Sequence, residues 1–270
     1  MSELGDFLRS RRAALTPEAA GVATYGTPRR VPGLRREEVA MLAGVSVNYY
    51  TRLEQGESHQ MSESVLAAIA NALHLDGSER LHLLRLAWPM PVVRRGRAAE
   101  TVRPTVLALA ESNTEQAVLI VSRRTDLLGG NRLARALWGF GPGPLPNMAR
   151  QLFLEPSSRD LIVDWARRAA GMAAHLRMAT SVEPDDPEMA ELVGELSIKS
   201  AEFANLWATH PVAECSHAIH EFDHPAVGRL TLNEESLDLP GGAGQRVIFL
   251  GAQPGSDSAG RMGMLGSLFP

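Results

Sequence analysis

The chain has 270 residues, 44% hydrophobic and 21% charged, with one cysteine, Cys215; that length fits two domains and excludes a disulfide framework, a fibre or a disordered polymer. No apolar run reaches the roughly 18 residues of a membrane span, and Asp6 breaks the apolar core that an export signal would need, so a cytoplasmic protein without membrane contact is expected. The net charge of −4 is uneven: residues 1–100 carry 13 Arg against 11 acidic residues, whereas the remainder is acidic, so an anionic partner belongs to the first part.

Leu4, Phe7, Leu8 and Leu15 recur at helical spacing and predict a helix over 4–15. Pro17, Gly21, Gly26, Pro28, Pro32 and Gly33 then forbid a long regular element, leaving an arginine-bearing loop. Helices follow over 35–43, ended by Gly44, and from the cap Ser46 to Gln55, ended by Gly56. Val65, Leu66, Ile69, Ala70 and Leu73 form the stripe of a fourth, and Asp76 with Glu79 is a capping-box signature for a fifth. Pro89, Pro91 and the polar stretch to Arg103 mark the boundary. The reading is an all-α domain of five helices over 1–92, a linker over 93–103 and a second domain over 104–270.

In the second domain strands and helices mix. Ala117–Val121 and Asp126–Gly130 read as strands and Arg132–Trp138 as a helix. Ser157 and Asp160 open one long helix with a stripe through Leu161, Trp165, Ala169, Met172 and Leu176, and Asp186-Pro187 opens another through Leu196, with more helix over 200–207. Cys215–Phe222, Val227–Leu232 and Arg246–Leu250 complete an antiparallel sheet, giving an α+β domain, and the Gly/Ser-rich tail from Pro254 is expected to fray.

The second and third helices have the small residue Ala40, the turn glycine Gly44 and the core-facing Tyr50 and Leu53 that a helix-turn-helix unit requires. Such a unit places the N-terminal end of its second helix in the major groove of double-stranded DNA. Ser46, Val47, Asn48, Tyr49 and Arg52 then form the reading face: Asn48 suits adenine, Arg52 guanine, Val47 a thymine methyl and Tyr49 a phosphate. Arg35 and Arg36, at the start of the preceding helix, are placed to grip the backbone.

The run Pro32-Gly33-Leu34-Arg35-Arg36-Glu37-Glu38-Val39-Ala40, then Gly44-Val45-Ser46 and Tyr49 to Gly56, resembles the MmyB-like branch of the lambda-repressor/xenobiotic-response-element regulators. The likeness continues through Arg123-Arg124, Asn131 to Ala134, Glu191 to Ser197, Phe203-x3-Trp207, and Phe222-x-His224-Pro225. It implies a lambda-repressor-like DNA-binding domain followed by a PAS-like sensor that holds an apolar ligand such as a fatty acid. The chain departs from the family pattern at Gly129-Gly130, where an aromatic before Asn131 is expected. Among the large apolar side chains of the second domain, Trp138, Phe153, Trp165, Met172, Leu206 and Trp207 are the expected walls of a pocket, with His175 and Arg177 as polar anchors.

His210, Cys215, His217, His220 and His224 crowd together, but His217 and His220 point to opposite faces of a strand, so no metal is expected. Gly241-Gly242-Ala243-Gly244 lacks the Lys-Ser/Thr of a phosphate loop and reads as a hairpin, leaving no catalytic constellation and no cofactor. Paired DNA half-sites make a homodimer the expectation. The alternative for the second domain is a dimerisation or protein-interaction module without ligand.

Overall fold

The computed structural model describes residues 3–22, 33–57, 61–88, 101–141, 143–209 and 217–269. The first three stretches hold α1 (Glu3–Ala14), α2 (Arg36–Leu42), α3 (Val47–Gln55), α4 (Glu63–Ala72) and α5 (Gly77–Ala87). Each has one apolar stripe that only a common core can bury: Phe7, Leu8, Val39, Tyr50, Leu53, Ile69 and Leu83 are sealed from solvent. Their starts are fixed by side-chain caps. Ser46 accepts from the Tyr49 amide at 3.1 Å, and Asp76 and Glu79 accept from each other's amides at 2.9 and 3.0 Å.

The second domain runs α6 (Pro104–Ser112), β1 (Ala117–Val121), β2 (Leu127–Gly130), α7 (Arg132–Trp138), α8 (Met148–Leu154), α9 (Ser157–Leu161), α10 (Trp165–Val182), α11 (Pro187–Lys199), α12 (Ala201–Ala208), β3 (His217–His224), β4 (Gly228–Asp238), β5 (Arg246–Gly251) and α13 (Asp257–Leu268). Its five strands form one antiparallel sheet in the order β2-β1-β5-β4-β3. β1 is apolar throughout because both its faces are covered. Leu119 and Val121 join the main core beneath the helices, while Val118 and Ile120 meet Val106, Leu107 and Ala110 of α6 on the other side.

Three expectations change. The single helix expected from Ser157 to Leu176 is two, α9 and α10, because Ile162 bridges to Phe222 and the Val163 amide donates to Glu221 O at 2.9 Å. Those backbone groups serve the edge of β3 and are lost to a helix. The tail expected to fray from Pro254 is instead α13, capped by Ser256 and anchored by buried Met262 and Leu265. α6 and α8 stand where no helix is expected; Pro104 at the first turn of one and the Asn147 cap of the other start them. The strand expected from Cys215 is described from His217 to His224, and Cys215, His210 and residues 93–100 lie outside the described residues.

The other sheet edge is occupied in the same manner, by an Asp126–Asn147 bridge and by the Leu127 amide donating to Pro146 O at 2.9 Å. The two domains meet where α10 lies against α5, and Met178 of α10 enters the core of the first domain.

Candidate DNA interface and ligand site

The turn between α2 and α3 is closed by Gly44 at φ +65° and by the Val45 amide donating to Ala40 O at 2.9 Å. α3 turns Tyr50, Leu53 and Glu54 inward and leaves Val47, Asn48 and Arg52 facing solvent, with exposed Ser46 at its start and half-buried Tyr49 beside them. Four of the seven residues selected for DNA, Ser46 to Tyr49, are thus gathered at the N-terminal end of α3, with Arg52 exposed in its last turn. Arg35 is partly exposed at the start of α2, its amide held by Glu38 Oε2 at 2.6 Å.

Arg36 has a second occupation. Its Nε donates to Glu54 Oε2 at 2.7 Å, and Arg12 donates to Glu54 Oε1 at 2.6 Å. Arg9 bonds the Glu54 carbonyl at 2.7 Å. Glu54, 1% exposed, therefore ties α1 and α2 to α3 and fixes how the reading helix sits. Burial, reinforced by the Glu54 charge, also pushes the Tyr50 hydroxyl far above its ordinary value and keeps it neutral. The sequence carried one sign of this: an acid four residues after Tyr50, on the core stripe.

In the second domain the eight residues selected for a ligand separate into three groups. Phe153 of α8, Trp165 of α10 and Trp207 of α12 are joined through Phe203 into one series of rings. Centroids lie 5.9 Å apart for Trp165 and Phe153, 5.0 Å for Phe153 and Phe203, and 5.4 Å for Phe203 and Trp207. Phe203 is fully buried, the two indoles are half-buried, and each end of the series is covered by a guanidinium: Arg159 lies 3.9 Å from the Trp165 ring centre and Arg177 3.6 Å from that of Trp207. Leu206 and Met172 pack against the same core, half-buried. Phe203, read from sequence only as part of the family likeness, and Arg159 were not selected for the site, because ring pairing across α8, α10 and α12 is a long-range property.

Trp138 belongs to a second group on the sheet side, stacked on Phe140 at 6.1 Å and edge-on to Phe222 at 5.8 Å. Arg168 lies 5.0 Å from its ring centre and bonds Glu234 at 2.9 Å; Glu234 in turn is 3.4 Å from His220 Nε2. Burial opposes ionisation of Glu234, but the Arg168 charge and the His220 hydrogen bond outweigh it and hold the carboxyl at about 2.

Of the two expected anchors, His175 faces elsewhere and Arg177 is committed to Trp207. His175 Nε2 is 3.1 Å from both Arg123 O and Arg246 Nη2, and burial together with the Arg246 charge pushes it down to about 3, so the ring is neutral. Arg177 donates to Trp207 O at 2.7 Å and lies 3.9 Å from Glu3 of α1, at the border between domains. Gly130 explains the departure from the family pattern: a Cβ there would come within 2.5 Å of Val118 O, so β1 and β2 approach too closely for an aromatic. A separate cleft of about 310 Å³ lies among Asn113, Thr114, Arg132, Leu133, Gly263, Gly266 and Ser267, none of them selected from sequence. Among the described residues no group of three or more His, Cys, Asp or Glu is arranged for a metal ion, and no helix is long and apolar enough to cross a membrane.

No curated protein matches the chain. A family model for a helix-turn-helix domain matches residues 3–83, the five-helix domain just described, and neither it nor the second match describes an enzyme. The second, the MmyB-like transcription regulator ligand binding domain, matches residues 102–265, more than half of the chain, and with the helix-turn-helix in front of it the chain belongs to the MmyB-like DNA-binding transcription regulators.

Proposed function

We propose that this regulator binds a small apolar molecule with a carboxylate head, of the fatty-acid class, along the ring series of α8, α10 and α12, and that occupancy alters its hold on DNA. The observation that carries the reading is the series itself, two half-buried indoles on a buried aromatic spine with an arginine over each. Apolar walls of this kind supply affinity at about 25 cal/mol per Å² buried, and one cation suffices to orient the ligand. Arg159 fits that duty better than the buried, committed Arg177. Its present partner Glu202 is half exposed, and such a pair is worth little, so a ligand carboxylate exchanges for Glu202 at small cost.

On the DNA side, Ser46, Val47, Asn48, Tyr49 and Arg52 address base edges and nearby phosphates, Arg35 addresses phosphate, and Arg36 adds phosphate contact to its bond with Glu54. Two copies on paired half-sites are the expected stoichiometry.

Thermal-shift and calorimetric titration with dodecanoate and dodecanol tests the ligand half. Both should stabilise the protein, and Arg159→Ala should cost the acid about tenfold in affinity while leaving the alcohol unchanged. Equal losses for both, or no stabilisation by either, would refute the assignment. For the DNA half, Arg52→Ala should cost roughly 1–3 kcal/mol at one base position per half-site, whereas Arg35→Ala should weaken all sequences alike. Indistinguishable effects on specific and random duplexes would remove Arg52 from the base edge.

A further inference from the structure

We propose that α12 relays the state of the ring series to the DNA-binding domain and that Arg177 is its latch; the proposal rests on the ligand reading above. α12 faces both ways. On one side Phe203 and Trp207 stand in the ring series. At its C-terminal end, carbonyls that no helical amide can reach need outside donors. They find them at the domain border: Trp207 O accepts from Arg177 Nη2 at 2.7 Å, and Thr209 O accepts from Ser10 Oγ at 2.8 Å and Arg11 Nη2 at 3.2 Å. Ser10 and Arg11 belong to α1, so a helix of the sensor is capped by the DNA-binding domain. α1 is keyed in turn to α3 by Arg12 on Glu54. The route from ring series to reading helix is therefore contiguous.

The contact is suited to opening. Arg177 is 6% exposed, yet its Nε has no hydrogen-bond partner among the described residues, nor has Glu3 Oε1 across the border, and the two groups approach only to 3.9 Å. A half-buried ion pair with incomplete hydrogen bonding adds little net stability but sets the register of the surfaces it joins. Because the guanidinium rests on the face of Trp207 and bonds its carbonyl, any shift of that residue parts the pair and withdraws the α12 carbonyls from α1. A molecule lodged among the rings supplies such a shift, and it favours whichever domain arrangement it fits better.

A double-mutant cycle on the full-length chain, read by amide hydrogen exchange in α1 and α5, tests the relay without any ligand. Trp165→Leu perturbs the series at the end opposite Arg177 and should change exchange in α1 and α5 by at least about threefold. Arg177→Met with Glu3→Gln should speed the same amides by about tenfold, as for one lost charge-assisted hydrogen bond, and should abolish the effect of Trp165→Leu. Ser10→Ala, at a partly exposed position, should give a smaller rise in the same segments and keeps the test decisive if the Arg177–Glu3 pair proves intolerant of change. Unaltered exchange in all variants, or an effect of Trp165→Leu that survives the latch substitutions, overturns the relay. DNA titration with and without dodecanoate separates the two readings. Coupling in the cycle with no response to dodecanoate or hexadecanoate keeps the relay and removes the fatty acid; an identical dodecanoate response in wild type and latch variant keeps the fatty acid and removes the relay.

Discussion

Glu54 shows how one side chain orders a binding face it never touches. Its carboxylate is sealed from solvent and receives Arg12 and Arg36, so its buried negative charge is compensated twice, once by the largely buried Arg12 and once by the half-exposed Arg36. Removing one member of such a pair leaves charge buried without compensation. Glu54→Gln should therefore lower unfolding free energy by about 3 kcal/mol in urea titrations, and DNA affinity should fall although Glu54 lies off the reading face. His175 gives a pH prediction. Its ordinary value near 6.5 is lowered to about 3 by burial and by Arg246. The unfolded chain takes up the proton first as pH falls, so this contribution is fully present above about 6.5 and is lost towards 3. Between pH 6.5 and 5, stability of the wild type should fall more steeply than that of His175→Gln, by about one proton's worth of slope; parallel curves would show that the ring is protonated in the fold.

At the scale of elements, what was legible follows from what each element buries. The five N-terminal helices carry periodic stripes and cap signals, and all five appear where those signals lie. The strands β1, β2 and β5 were legible as short apolar runs between breakers. The division of α9 from α10 was not, because the stripe continues across Ile162 and only the sheet edge, contributed from far along the chain, claims that backbone. α13 was missed for a related reason: Gly260, Gly263 and Gly266 suggest fraying, while Met262 and Leu265 pay for the helix by packing on the domain. Leu265→Ala should cost about 2–5 kcal/mol in chemical denaturation, a loss a frayed tail could not produce. The candidate site divides likewise. The solvent-facing side of α3 follows from helical spacing, but His175 and Arg177 were selected by chemistry alone, and their partners Arg246 and Glu3 come from distant segments.

At the scale of the molecule, the charge asymmetry acquires a location. The exposed Arg52, with Arg35 and Arg36 at the start of α2, belongs to the N-terminal domain, whereas the acidic remainder repels a polyanion. DNA affinity of the full chain should therefore fall steeply with salt, with the slope of log affinity against log salt reduced by about 1 in Arg35→Ala, as for one phosphate contact removed. An unchanged slope would move Arg35 off the backbone.

Sheet margins in such a domain are open invitations to strand exchange, and here each is crossed by one bridging segment. Ile162 and Val163 sit along one, and Pro146 and Asn147 along the other. Each crossing interrupts the ladder that its margin would offer a foreign strand, a device that works against edge-to-edge polymerisation. The homodimer proposed for paired half-sites would then be held by helices or by the flat of the sheet, and would part without unravelling any strand.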